Sequence, residues 1–133
     1  GVSAITAGGA HSLALISGSV YGWGRNVDGE LGNGTTTTQF FATQVLGGDQ
    51  GGTYLTGSTN IVAGNRSSYV LTSNGQLWAW GNNSGYTGVT GASGQSFTTP
   101  KITIFSSTTT NVNNKNNAFQ LPERLSKTLK YWY

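Results

Sequence analysis

Residues 2–32 read VSAITAGGAHSLALISGSVYGWGRNVDGELG, and residues 60–88 read NIVAGNRSSYVLTSNGQLWAWGNNSGYTG. The second stretch repeats the first. Ala7-Gly8 returns as Ala63-Gly64 at an offset of 56, and Trp23-Gly24 returns as Trp80-Gly81 at an offset of 57. One residue is gained in between, where Ser17-Gly18-Ser19 faces Thr72-Ser73-Asn74-Gly75. Self-similarity at a fixed period is the mark of a repeat architecture. Each copy has the grammar of short antiparallel strands. Residues 12–16 and 68–72 alternate small, polar and apolar side chains, and both runs end at a hairpin signal, Ser-Gly-Ser or Ser-Asn-Gly. Residues 20–23 and 76–80 are the return strands. The glycine after each tryptophan ends its strand where only glycine adopts the backbone conformation cheaply.

Working outward, residues 40–46 and 100–105 read as further strands at equivalent places in the period. The polar runs 32–39, 47–57, 82–98 and 106–117 read as loops. The chain divides into a first repeat over 1–57, a second over 58–105, and a polar linker with a basic tail over 106–133. In the tail, Leu121, Leu125 and Leu129 recur every fourth residue, with Pro122 and Glu123 at the start, which predicts a short helix over 122–129. The alternation of Leu129, Tyr131 and Tyr133 supports a final strand as the competing reading.

Composition narrows the function classes. Gly, Thr, Ser and Asn make up half of the 133 residues, and only 8% are charged, against about 25% in an average soluble protein. This all-β, turn-rich chain has no cysteine, which excludes disulfide frameworks, thiolate metal sites and cysteine nucleophiles. No apolar run approaches the roughly 20 residues of a membrane-spanning helix. The net charge of +3 belongs to the tail, since Arg25, Arg66 and Lys101 are balanced by Asp28, Glu30 and Asp49 in the body. Without a basic stripe the body offers nucleic acid no footprint. The bias toward Thr, Ser and Asn suits an extracellular, cell-surface or particle-surface protein.

The pattern Ala7-Gly8, His11 to Leu15, Gly18 to Gly24, Asn26 and Gly29-Glu30-Leu31-Gly32 resembles the regulator of chromosome condensation repeat family. The second copy is looser, with Ser67 in place of histidine and Tyr86-Thr87-Gly88 in place of Glu-Leu-Gly. The resemblance covers about residues 1–104. It implies a β-propeller with one four-stranded blade per repeat, whose full members close seven blades into a ring. Two blades cannot close, so the resemblance implies that something completes the structure: further blades of a longer parent, neighbouring copies of the same chain, or the polar loops and the tail folding over the faces. A strand-to-strand contact between copies would join Val2 and Ile5 at one edge to Ile102 and Ile104 at the other, giving a ring or an open filament. Pairing of both Val2 and Ile104 within one chain would end that version. The family's best-known activity, guanine-nucleotide exchange on the small GTPase Ran, is not carried over to a chain with so few blades and charges.

Each side chain that carries chemistry has a plainer role as well. His11 is the only histidine, and its repeat position fits a ring that bonds a neighbouring backbone better than a general base. Ser12 beside it has no acidic partner placed for a triad. Asn26, Asp28 and Glu30 put oxygens at alternate positions, a weak calcium candidate that reads better as a solvated turn. Trp23 and Trp80, at equivalent positions, read as inter-blade core. Trp78 and Tyr86 are freer to stack on a sugar, and Tyr131, Trp132 and Tyr133 in the basic tail to dock a partner, a membrane surface or a second subunit. Three Asn-x-Ser/Thr sequons begin at Asn33, Asn65 and Asn82. No cofactor is implied. The expectation is a non-enzymatic structural or interaction protein that assembles with itself, with a carbohydrate- or protein-binding module as the alternative.

Overall fold

The hairpin turns explain the change of offset within the repeat. In the first copy, Ser17 and Gly18 both take positive φ, at 49° and 80°. This is the two-residue turn whose twist matches antiparallel strands. In the second, the turn is one residue longer and only Gly75 is left-handed, at 82°, with its N–H donating to Thr72 O at 2.9 Å.

The computed structural model describes residues 1–84, 87–89 and 94–106. These form eight strands: β1 (Val2–Ala7), β2 (His11–Ile16), β3 (Ser19–Gly24), β4 (Gln39–Gln44), β5 (Ser58–Ala63), β6 (Ser67–Thr72), β7 (Leu77–Asn83) and β8 (Gln95–Ile102). A single 3-10 turn, Gly48–Gln50, lies between β4 and β5. The strands make two four-stranded antiparallel sheets, ordered β1-β2-β3-β4 and β5-β6-β7-β8. Each sheet is a propeller blade. The blades match residue for residue in register: Ile5 sits opposite Ala14 as Ile61 sits opposite Val70, and Ser12 opposite Trp23 as Ser68 opposite Trp80. Both first strands carry an irregularity at the same place, between Val2 and Ala4 and between Ser58 and Asn60. Gly24 and Gly81 have φ of 103° and 91°, and a Cβ there would stand 2.7 Å from Ala10 O and 2.6 Å from Arg66 O. That accounts for the glycine after each tryptophan.

The core lies between the sheets. Leu13, Leu15, Val20 and Val45 of the first blade meet Ile61, Val70, Trp78 and Trp80 of the second, with Leu55 from the connecting segment. A polar clamp holds the outer rim, where the Asp49 carboxylate accepts from Lys101 Nζ and from Ile102 N, each at 3.3 Å.

Both blades contain the four strands expected of each repeat. Val2 pairs with Ile16 in β1-β2, and Ile104 N donates to Gly88 O at 3.0 Å, while β1 and β8 stand at the edges of their sheets. Two expectations are corrected here. First, β8 begins at Gln95 inside a run read as loop, because Ser96 and Gln95 pair with Asn82 and Asn83 at the end of a long β7. Second, Trp78 is buried at 3% exposure. It lies two residues from Trp80, so both indoles project from the same face of β7. The helix expected over 122–129 and the residues Tyr86, Tyr131, Trp132 and Tyr133 lie outside the described residues.

Candidate functional site: the inter-blade joint and its two open faces

The joint is held by a short polar chain set in the apolar core. Trp80 Nε1 donates to Glu30 O at 2.7 Å, and Ser68 Oγ donates to the same carbonyl at 2.7 Å. The single Ser68 hydroxyl proton is thereby committed, so His11 Nε2, at 2.9 Å from Ser68 Oγ, is the donor in that contact. Gly32 makes the seat for the Trp80 ring. Its φ is 64°, and a Cβ would stand 2.8 Å from Trp80 Nε1 and 2.9 Å from Val45 Cγ1.

The Glu30 side chain is itself fully buried. Its carboxylate takes a hydrogen bond from Asp28 N at 2.8 Å and pairs with Arg25. Arg25 also holds Asp28 at 2.7 Å, and Arg66 of the second blade reaches Asp28 at 3.2 Å. Asn82 Nδ2 adds a bond to Asp28 Oδ1 at 3.2 Å. Desolvation opposes the Asp28 charge. The bonds from Arg25 and Asn82 and the two guanidinium charges outweigh it and hold the carboxyl below its usual range. The bond to Asp28, joined by the Glu30 carboxylate, raises Arg25 against the opposing effect of desolvation. Asn26, also buried, donates to Thr35 O at 2.8 Å and Thr37 O at 3.1 Å and accepts from Leu31 N at 2.9 Å. The calcium candidate is therefore corrected. Asn26 staples the loop, and Asp28 and Glu30 answer arginines.

His11 is buried, and its Nδ1 has no hydrogen-bond partner among the described residues. Burial lowers its pKa; the Glu30 charge works against that and the Arg25 charge with it. A histidine held below its ordinary value favours folding above about pH 6.5 and loses that contribution as pH falls, because the unfolded chain takes up the proton first. We expect Tm to fall between pH 7.5 and pH 5. Because His11 is the only histidine, His11→Gln should flatten that segment of the profile. An unchanged slope in thermal melts would place the pH sensitivity elsewhere.

The repeat makes the outer faces readable. The residues that second-blade strands press into the joint are Ile61, Ser68, Trp78 and Trp80. Their first-blade equivalents, Ile5, Ser12, Tyr21 and Trp23, line the opposite side of the first blade, which faces no other sheet among the described residues. Ile61 is 9% exposed and Ile5 75%, and Trp23 is half-buried where Trp80 is sealed. Trp23 is thus corrected from inter-blade core to an open face. The reverse face is open on the second blade. Thr6, Leu13, Leu15 and Leu31 face the joint, whereas their equivalents Val62, Tyr69, Leu71 and Thr87 line its free side, with Val62 at 55% and Leu71 at 39% exposure. A shallow concavity of about 220 Å³ opens there, lined in part by Arg66, Tyr69, Asn82 and Thr87.

Of the predicted edge residues, Val2, Ile5, Ile102 and Ile104 are all exposed, although they do not meet one another. The sugar-stacking reading loses Trp78 to the core. Sequence reasoning missed Phe40 and Phe41, which stand 87% and 85% exposed on the outermost strand of the first blade. Their equivalents in the second blade are Thr98 and Thr99, so the substitution itself was the available signal.

Two stretches of the chain, 17–71 and 59–86, match the description "Regulator of chromosome condensation (RCC1) repeat". The chain belongs to the RCC1 repeat family. It is 35% identical over 83 residues to the RCC1 domain-containing protein RUG3, mitochondrial, of Arabidopsis thaliana, covering 61% of this chain and 17% of that protein. It is 37% identical over 81 residues to the ultraviolet-B receptor UVR8 of the same plant, covering 59% and 18%. Among solved structures, human WBSCR16 superposes with a TM-score of 0.63 at 29% identity, over 76% of this chain and 25% of that one. The chain thus spans under a fifth of the length of these two plant relatives, and the RCC1 repeat supplies it with two blades of the β-propeller fold.

Proposed function

We propose that this RCC1-repeat chain is a non-enzymatic protein-interaction module that works by lending two blades to a larger assembly, and that its partner blades come from copies of itself. The observation that carries the reading is the contrast between Ile5 at 75% exposure and Ile61 at 9%. The same side chain at the same repeat position is core on one blade and surface on the other. The two open faces are different halves of one joint. Docking one on the other is therefore heterologous and propagates into a ring or a filament. The contact is face to face, since the exposed apolar side chains Ile5, Val62 and Leu71 lie on the open faces of the two blades.

Light scattering of the purified chain over a range of concentrations tests this. A mass that climbs with concentration, and that falls to the monomer in Ile5→Asp, supports the reading. A monomer at every concentration overturns it. Ile5 is too exposed for its replacement to unfold the blade, so loss of assembly in that variant reports on the face.

A further inference from the structure

The seat for an indole is built twice in this chain. On the first blade, Gly32 and Val45 form it and Trp80 fills it. On the second blade, Gly88 and Thr103 stand at the equivalent positions. Gly88 has φ of 82° against 64° for Gly32. Its carbonyl accepts from Ile104 N at 3.0 Å, as the Gly32 carbonyl accepts from Leu46 N at 2.9 Å. The second seat is not empty. A Cβ on Gly88 would meet Phe105 Cδ2 and Cε2, each at 2.9 Å, and Thr103 Cβ at 3.4 Å. At Gly32 the matching neighbours are Trp80 Nε1 and Cε2 and Val45 Cγ1. Phe105 therefore lies where the tryptophan of a following blade would lie. The first blade has Gly47 at the position of Phe105, so nothing of its own obstructs Trp80. Phe105 remains 49% exposed, a ring laid over the seat from its rim.

We infer that Phe105 plugs the second blade's indole seat, and that the occupant it competes with is Trp23 of a second copy. This rests on the proposed self-association and adds a restraint to it. Trp23 is the repeat equivalent of Trp80, with Ser12 beside it as Ser68 stands beside Trp80. It is the half-buried indole on the open face of the first blade. Entry of Trp23 displaces Phe105 to solvent, so the plug covers apolar surface on the free chain and weakens association.

Sedimentation equilibrium on the full chain tests the plug. Phe105→Ala removes the ring and should tighten association about tenfold, the scale set by freeing a seat that half-buries a phenylalanine. Phe105→Trp enlarges the plug and should weaken association. Adding Trp23→Ala to Phe105→Ala should abolish the gain. If the wild type associates and Phe105→Ala leaves it unchanged or weaker, the plug is overturned while self-association stands. A gain that survives Trp23→Ala overturns Trp23 as the occupant. If the wild type stays monomeric while Phe105→Ala associates, the plug stands and assembly of the native chain falls. If neither associates, both fall. Should Phe105→Ala fail to melt cooperatively, Phe105→Trp carries the test with the opposite sign.

Discussion

Trp80→Ala should cost about 3–5 kcal/mol of unfolding free energy, the range for deleting a large aromatic side chain from a sealed core. Trp23→Ala, at the same repeat position, should cost about 1 kcal/mol or less in the monomer. The two indoles differ only in what faces them. Trp80 is 1% exposed, packs against Gly32 and donates to Glu30 O. Its removal leaves a cavity between the blades and takes one of two donors from that carbonyl. Trp23 keeps one face toward solvent, so its removal empties no enclosed space. Since small domains are stable by only about 5–15 kcal/mol in total, Trp80→Ala approaches the limit of folding, and its blades should lose cooperativity with one another. Urea unfolding of both variants under dilute, monomeric conditions measures the difference. Trp80→Phe separates the two contributions: it keeps most of the ring, loses the N–H and should cost only about 1–2 kcal/mol. Equal losses for the two alanine variants would mean that the repeat positions share one environment, and the open-face argument would fail with them.

Much of this architecture is legible in the sequence because the same solution is written twice. The offsets of 56 and 57 locate the hairpins, and the glycines after Trp23 and Trp80 locate the strand ends. The repeat cannot say which copy of a residue is core. Ile5 and Ile61 are chemically identical, and only the presence of a neighbouring blade on one side separates them. Strand parity was available for Trp78: at two residues from Trp80 it had to share the buried face. The start of β8 was hidden for a different reason. Residues 95–99 belong to the outermost strand, which is partly solvated on both faces, so no apolar alternation marks them. Glu30 misleads in another way. Oxygens at alternate loop positions look like a cation site until the fold brings Arg25 against two of them, and loop geometry has no period from which that pairing can be read. Phe105 had a visible signal, a bulky aromatic where the first repeat has Gly47. Its meaning requires knowing that Trp80 crosses that spot on the other blade.

Gly8→Ala should be the second severe lesion, at about 2–3 kcal/mol, while Gly64→Ala at the equivalent position should be nearly neutral. Neither residue has a left-handed backbone, so conformational strain does not enter. What differs is the neighbour. A Cβ on Gly8 would stand 2.1 Å from Gly64 O and 2.6 Å from His11 Cε1. The first of these is main chain of the facing blade, held by Gly9 N donating to Asn65 O at 3.1 Å. Main chain anchored in this way cannot step aside as a side chain does, so the blades must part. Overpacking a closely fitted interior costs about 1–3 kcal/mol, and a backbone contact places Gly8→Ala at the upper end. On Gly64 the nearest atom is Ser67 Oγ at 2.9 Å, which a rotamer change removes, followed by contacts at 3.5 Å. Gly64 lies where a further blade would approach, so Gly64→Ala should instead weaken association between copies while sparing the monomer's Tm. Thermal melts at low concentration, set beside sedimentation at high concentration, give each variant two numbers. The two glycines should exchange rank between those measurements. If Gly8→Ala is harmless in the melt, the close approach of the blades at Gly64 is not what fixes their spacing.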